Sequence, residues 1–185
     1  MKIKPLQTNE EIKLAASWLS KKENYQWLDF GNGVQKVEAS TLKLMTQKKS
    51  HSLWLYTGDE SDEPIGLVGM SDINPVFKTT IGWCMLGNKM AARKDYTRRA
   101  CGKLIRIAFE EMNFNSIFAW TLENNVGGRR VLEGNNFRFI GRFRKCHIID
   151  GKPYDRLLYD LTKSDYLMEK SNHERTTEKR TAGTV

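Results

Sequence analysis

Apolar residues recurring at three- and four-residue spacing mark helices along this chain, and runs rich in β-branched and aromatic residues mark strands. Ala100, Cys101, Leu104, Ile105, Ala108 and Met112 share one face of a helix predicted over 98–112, while Gly102, Lys103, Arg106 and Glu110 fall mostly on the other. Thr97 suits its N-cap. A strand over 80–86 precedes this helix and another over 117–122 follows it. A short helix ending at 135–137 completes a strand, loop, helix, strand, loop, helix segment over 79–137, around which the chain is organised.

The flanks read in the same way. A first strand covers 3–6, and Thr8 with Glu11 forms a capping box before a helix whose apolar face is Ile12, Ala15, Ala16 and Leu19, ending near Lys21 and Lys22. The 24–33 segment is aromatic and turn-rich, with Tyr25, Trp27, Phe30, Gly31 and Gly33. It reads either as a wall of a binding site or as a loop whose aromatics plug the core. A helix over 39–48, capped by Ser40 or Thr41, turns Leu42, Met45 and Leu44 inward. Strands at 52–56 and 65–73 flank an acidic turn and pair antiparallel. Asp150 and Gly151 form a two-residue hairpin signal between strands at 138–149 and 154–161. A helical turn at 164–170 ends the domain, so 1–170 reads as one unit and 171–185, poor in apolar residues, as a flexible tail.

Composition narrows the picture. The chain has 185 residues, 39% hydrophobic and 28% charged, which suits one soluble domain with a proper core. It holds no run long and apolar enough for a membrane span and no signal-peptide core, so a cytoplasmic location is expected. Cys84, Cys101 and Cys146 have no metal or redox spacing, and the first two fall in apolar patterns. A net charge of +8 favours an acidic ligand. Nucleic acid is not expected, because the basic residues are spread over several elements and no nucleic-acid motif occurs.

The charge concentrates where chemistry could begin. Arg93, Lys94, Arg98 and Arg99 ring the start of the central helix, whose first N–H groups and positive dipole end follow directly on a strand. Such an arrangement is a natural anion site. Together with this pattern, Ile81, Gly82 and Trp83 on the strand, Lys94 to Thr97 opening the helix, and Ala108 to Met112 closing it follow a known order. Asn125 after the next strand, Arg130 to Glu133 with Asn136 and Phe137, and the hairpin Asp150 to Asp155 continue it. Over 64–161 this order resembles the GNAT N-acetyltransferase superfamily, and more closely its ribosomal-protein N-acetyltransferase branch.

The resemblance implies an α/β (α+β) fold: a mixed, mostly antiparallel sheet of about seven strands, splayed at the centre, with helices on both faces. It implies acyl transfer from acetyl-CoA, as co-substrate, to a primary amine of a protein N-terminus or a small molecule. Backbone groups of Met85, Leu86 and Gly87 would bond the pantetheine arm, amides of Arg93, Lys94, Asp95, Tyr96, Thr97 and Arg98 the pyrophosphate, Asn125 the pantetheine, and Arg130 would lie near the nucleotide. Four positions depart from the family pattern. Asp95 and Thr97 replace small residues of the phosphate loop, Gly128 replaces a serine that donates to the leaving thiolate, and Thr80 replaces a glutamate. At an effective dielectric near 20, a carboxylate about 4 Å from a phosphate charge costs roughly 4 kcal/mol, so Asp95 must turn away or pair with an arginine.

An amine attacks only when neutral, so a base is needed near pH 7. The candidates are Glu123 at the end of the central strand, Asp72 near a strand end and His51 at a strand start. Each also reads as an ordinary surface or turn residue, as does His147 on the hairpin. Two other readings remain: a catalytically weak thioester-binding protein on the same fold, and an enzyme whose donor is carried by an acidic carrier protein. The exposed edge of the last hairpin would suit a homodimer.

Overall fold

The computed structural model describes residues 1–92 and 95–182, of which 173–182 by backbone alone. Its strands are β1 (Ile3–Pro5), β2 (Ser52–Thr57), β3 (Pro64–Asn74), β4 (Thr79–Leu86), β5 (Ser116–Leu122), β6 (Arg138–Ile149) and β7 (Lys152–Thr162). They form one seven-stranded sheet in the order β1-β2-β3-β4-β5-β7-β6. Five neighbouring pairs run antiparallel; β4 and β5 run parallel. The helices are α1 (Asn9–Leu19), α2 (Lys22–Tyr25), α3 (Ala39–Gln47), α4 (Tyr96–Arg106), α5 (Val126–Glu133) and α6 (Lys163–Ala182). The mixed α/β architecture expected from the sequence is the one found. Among the described residues no helix is long and apolar enough to cross a membrane.

Two cores flank the sheet. Ile12, Ala15, Trp18 and Leu19 of α1 and Leu42 and Met45 of α3 pack on Leu53, Leu55, Leu67 and Met85. On the other face Ala100, Leu104 and Ile105 of α4 meet Tyr56, Val68, Met70, Ile117 and Leu161. The alternation of β2 and β3 therefore feeds both layers, which explains why β3 is buried almost throughout. The capping box forms as read: Thr8 Oγ1 accepts from Glu11 N–H at 3.2 Å, and Glu11 Oε2 accepts from Thr8 N–H at 3.0 Å. At the hairpin tip Asp150 and Gly151 both take positive φ, 50° and 74°, as a two-residue turn of that twist requires.

Several local expectations are corrected. α3 is capped by Glu38 without a side-chain hydrogen bond, not by Ser40 or Thr41, and Leu44 points outward at 58% exposure. Nine residues of helix offer only a narrow buried stripe, which Leu42 and Met45 fill. The central helix starts at Tyr96, with Asp95 as N-cap, so Thr97 lies inside the first turn and its hydroxyl pairs with Tyr56 Oη at 2.7 Å. Its last turn widens to a π-helix over Ile107–Glu111, which carries Phe109 into the core and leaves Met112 at the rim. α6 spans Lys163–Ala182, longer than the helical turn read at 164–170. Low apolar content does not stop a helix that meets no glycine or proline before Gly183.

Candidate active site

The parallel pair β4–β5 decides the site. Its register covers only Thr79–Ile81 against Ser116–Phe118, and beyond that the two strands separate. β4 remains zipped to β3 through Leu86, and β5 to β7 through Leu122, so each strand follows a different neighbour. The separation opens onto a cavity of about 320 Å³. Gly82, Trp83 and Cys84 line it from β4, Trp120 and Thr121 from β5, and Asn125 and Gly128 from the start of α5. A wall of Trp27, Leu28, Asp29, Phe30 and Gly31 closes another side, and His51, Asp72 and Arg156 complete the polar lining.

The 24–33 segment thus lines the cavity through Trp27 to Gly31 while Leu28 and Phe30 also pack on the core, and specific contacts hold it there. Asp29 accepts from the N–H groups of Gly31 and Gly33 at 2.8 and 3.1 Å, which shapes the turn, and binds Arg156 at 2.7 Å. Burial opposes the Asp29 charge, but Arg156 and the two amides outweigh it and hold the carboxyl below its usual range. Arg156 lies over the Trp120 ring, 4.1 Å from the centroid, and donates to His147 Nδ1 at 3.0 Å. His147 Nε2 in turn lies 2.8 Å from the Gln26 carbonyl, so the neutral ring donates there and accepts from the arginine. His147 is 4% exposed, which corrects its reading as a surface residue. Burial pushes its pKa down, and Arg156 adds to that against the Gln26 carbonyl. Phe30 meets Trp83 edge to face at 5.7 Å. Tyr25 does not line the cavity; it carries Lys36 on its ring.

The base candidates divide. His51 and Asp72 both reach the cavity lining. Burial lowers the His51 pKa although the Asp72 charge opposes this, so the ring is neutral and able to accept a proton near pH 7. Asp72 takes φ 49° at an irregularity in β3, which turns it out of the ladder. Glu123 is not brought in: its Oε1 accepts from Asp155 N–H at 3.0 Å and Arg142 stands 3.6 Å from Oε2. Thr80, at the family's glutamate position, is 1% exposed and donates to the Ser71 carbonyl at 2.8 Å.

At the other end of the split, the start of α4 is arranged around Asp95. It takes φ 57° and ψ 13°, a left-handed conformation that aspartate tolerates better than most residues and that glycine adopts freely. Its carboxylate turns to Arg98, meeting Nε at 2.8 Å and a terminal nitrogen at 2.5 Å. Arg99 binds Asp59 at 2.6 Å. Arg93 and Lys94 lie outside the described residues. Of the residues expected along the β4 edge, Gly87 N–H is bonded to Ile65, the Met85 carbonyl accepts from Tyr56 and the Leu86 carbonyl from Lys89. Asn125 caps α5 by accepting from Gly128 N–H at 2.9 Å, and Arg130 is exposed on the same helix. The residues that sequence reasoning missed are Trp83, Trp120, Thr121 and Arg156. The tryptophans lie two residues past the last β4–β5 pair, a legible signal once the pairing is known; Arg156 carries none, since its partner Asp29 lies 127 residues away.

Residues 1–138 match the family model described as an acetyltransferase (GNAT) domain. The chain belongs to the GNAT acetyltransferase family. Among curated proteins none matches it in sequence. Among solved structures it is similar to a spermidine N-acetyltransferase variant from Vibrio cholerae, with a TM-score of 0.78 at 15% identity over 92% of this chain and 99% of that one. The enzyme from the same organism in complex with CoA and spermine gives 0.77 at 13% identity, over 90% and 97%. A structure titled as a probable acetyltransferase gives 0.72 at 22%, over 88% and 93%. The protein is thus an acetyltransferase by family, with the fold of these N-acetyltransferases.

Proposed function

We propose that this GNAT protein transfers an acetyl group from acetyl-CoA to the primary amine of a small molecule with a flat or apolar body. The observation that carries this reading is the parting of β4 and β5 after three residue pairs, which opens onto an aromatic cavity. The β4 edge left unpaired past Ile81 fits an extended, amide-bearing arm adding itself as a strand, with Met85, Leu86 and Gly87 at the outer end of that edge. Amides of Tyr96, Thr97 and Arg98 in the first turn of α4 would take the pyrophosphate, aided by Arg93 and Lys94. Asp95 is compatible with this role because its charge is matched by Arg98. Arg130 would serve the nucleotide end and Asn125 the arm. Acetyl-CoA supplies a thioester carbonyl; this chain's residues supply position, dryness and a proton acceptor. His51, neutral and beside the cavity, is the preferred base, directly or through water, with Asp72 fixing the ammonium form on arrival.

The ribosomal-protein branch, which the motif order resembles, would instead supply a protein N-terminus. The wall of Trp27, Phe30 and Gly31, fastened by Asp29 to Arg156, speaks for a compact acceptor. Calorimetry with acetyl-CoA, followed by thiol release with a panel of aryl and alkyl amines and N-terminal peptides, tests both levels. Micromolar donor binding with release for small amines is expected. Absence of binding at millimolar donor overturns the transferase reading, and release with peptides alone overturns the small acceptor.

A further inference from the structure

The side chain of Thr121 is 4% exposed, and its hydroxyl is buried without a hydrogen-bond partner. Buried hydroxyls are normally paired, so an orphan on the wall of a cavity points to a missing ligand. Thr121 lines the cavity from β5, past the point where β4 and β5 part. It has this place because residue 128 is glycine. A Cβ at Gly128 would stand 2.3 Å from Thr121 Oγ1, a separation no real side chain tolerates. Asn125 Oδ1 accepts from Gly128 N–H at 2.9 Å and makes no hydrogen bond to the Thr121 hydroxyl. A side chain at 128 therefore has no room while the Thr121 hydroxyl stands where it does, and here the hydroxyl is carried by β5 beside a bare glycine on α5.

Resting on the acyl-transfer reading above, we infer that Thr121 is a catalytic residue whose hydroxyl donates a hydrogen bond to the leaving sulfur. In the balanced step the amine nitrogen bonds to the thioester carbonyl carbon, and the carbon–sulfur bond breaks with its electron pair moving onto sulfur. The nitrogen gives one proton to the base, which passes it to solvent, and the sulfur leaves as thiolate and takes one proton from solvent to become thiol. Thr121 stabilises the developing thiolate and is itself unchanged at the end.

The test uses the full chain and two readouts. Thr121→Val keeps the shape and removes the hydroxyl. It is expected to lower kcat at least about tenfold with little change in KM for acetyl-CoA, the loss shrinking for an acetyl aryl thioester, whose thiolate leaves unaided. Thr121→Ser should retain most activity. Independently of turnover, calorimetry should find that the wild type prefers CoA to desulfo-CoA and that Thr121→Val loses this preference. Gly128→Ser alone should impair the protein through the collision, whereas Thr121→Ala with Gly128→Ser should recover activity by returning the hydroxyl to α5. A Thr121→Val protein with wild-type kcat and undiminished preference for CoA overturns the inference. So does a Thr121→Val protein that melts several degrees lower, since an unpaired hydroxyl contributes no structural bond to lose. A wild type that binds neither CoA nor desulfo-CoA overturns the transferase reading itself, which is seen before any variant is made.

Discussion

The two ionic centres of this site differ in kind. At the start of α4, Asp95 and Arg98 form a pair in which each side chain is about half exposed, at 50% and 43%. Under the 24–33 wall, Asp29 and Arg156 are 14% and 18% exposed, and His147 and Trp120 flank the arginine. An exposed pair contributes little, because water screens it and two long side chains must be ordered. It can be released cheaply. A shielded pair is costly to break, because one partner is left charged without compensation. The pair at the start of α4 is thus built for exchange, and the pair under the 24–33 wall for permanence.

The largest effect that would break this contrast is expected from Arg156→Ala. It strands the Asp29 carboxylate and removes the cover of Trp120, at a cost of about 3 kcal/mol. Thermal melting should fall by roughly 10 °C, and the acceptor KM should rise more than the KM for acetyl-CoA. If both constants move together, the arginine does not serve the acceptor side in particular.

A smaller effect comes from acid. The folded-state pKa of His147 lies below its ordinary value, so its contribution is present above pH 6.5, the unfolded value. That contribution is lost as pH falls through the folded pKa, because a proton on Nδ1 would face the Arg156 guanidinium. His51 is shifted in the same direction and adds to the slope. Melting temperature measured from pH 7.5 to pH 5 should therefore drop more steeply for the wild type than for His147→Gln. Equal slopes would remove His147 from the account.

At the exposed end the expected changes are modest and of opposite sign. Asp95→Gly relieves the left-handed backbone at φ 57° and frees Arg98. Donor binding, measured by calorimetry, should tighten about fivefold, in keeping with a pair worth at most about 1 kcal/mol. Weaker binding would mean that Asp95 itself orders the loop for the phosphate. Smallest of all, Arg99→Gln should leave the melting temperature close to that of the wild type, since its partner Asp59 is also held by the N-terminal ammonium at 2.8 Å.

Much of this could be read along the chain, and the failures are local. The Thr8–Glu11 capping box and the Asp150–Gly151 turn are short-range devices, so their residues carry the whole signal. The cap of α4 was misread because Thr97 is an ordinary N-cap type, whereas Asp95 caps by backbone geometry without a side-chain bond. Met112 falls on the inward face of a strict α-helical period, and the π-turn at Ile107–Glu111 shifts that period by a residue. Glu123 was a reasonable base at a strand end until the β6–β7 hairpin supplied Asp155 N–H and Arg142 to occupy it.

Periodicity and turn chemistry alone determined the seven strands and the longer helices, though not α2, and motif order pointed to the family. Both are properties of neighbours in the chain. Which edges separate, and what they enclose, was decided in three dimensions. β4 and β5 part because each follows a different partner strand, and Asp29 meets Arg156 across 127 residues of chain. The hydroxyl of Thr121 acquires meaning only beside a glycine at 128, for steric exclusion acts between atoms that share space and leaves no trace in sequence spacing.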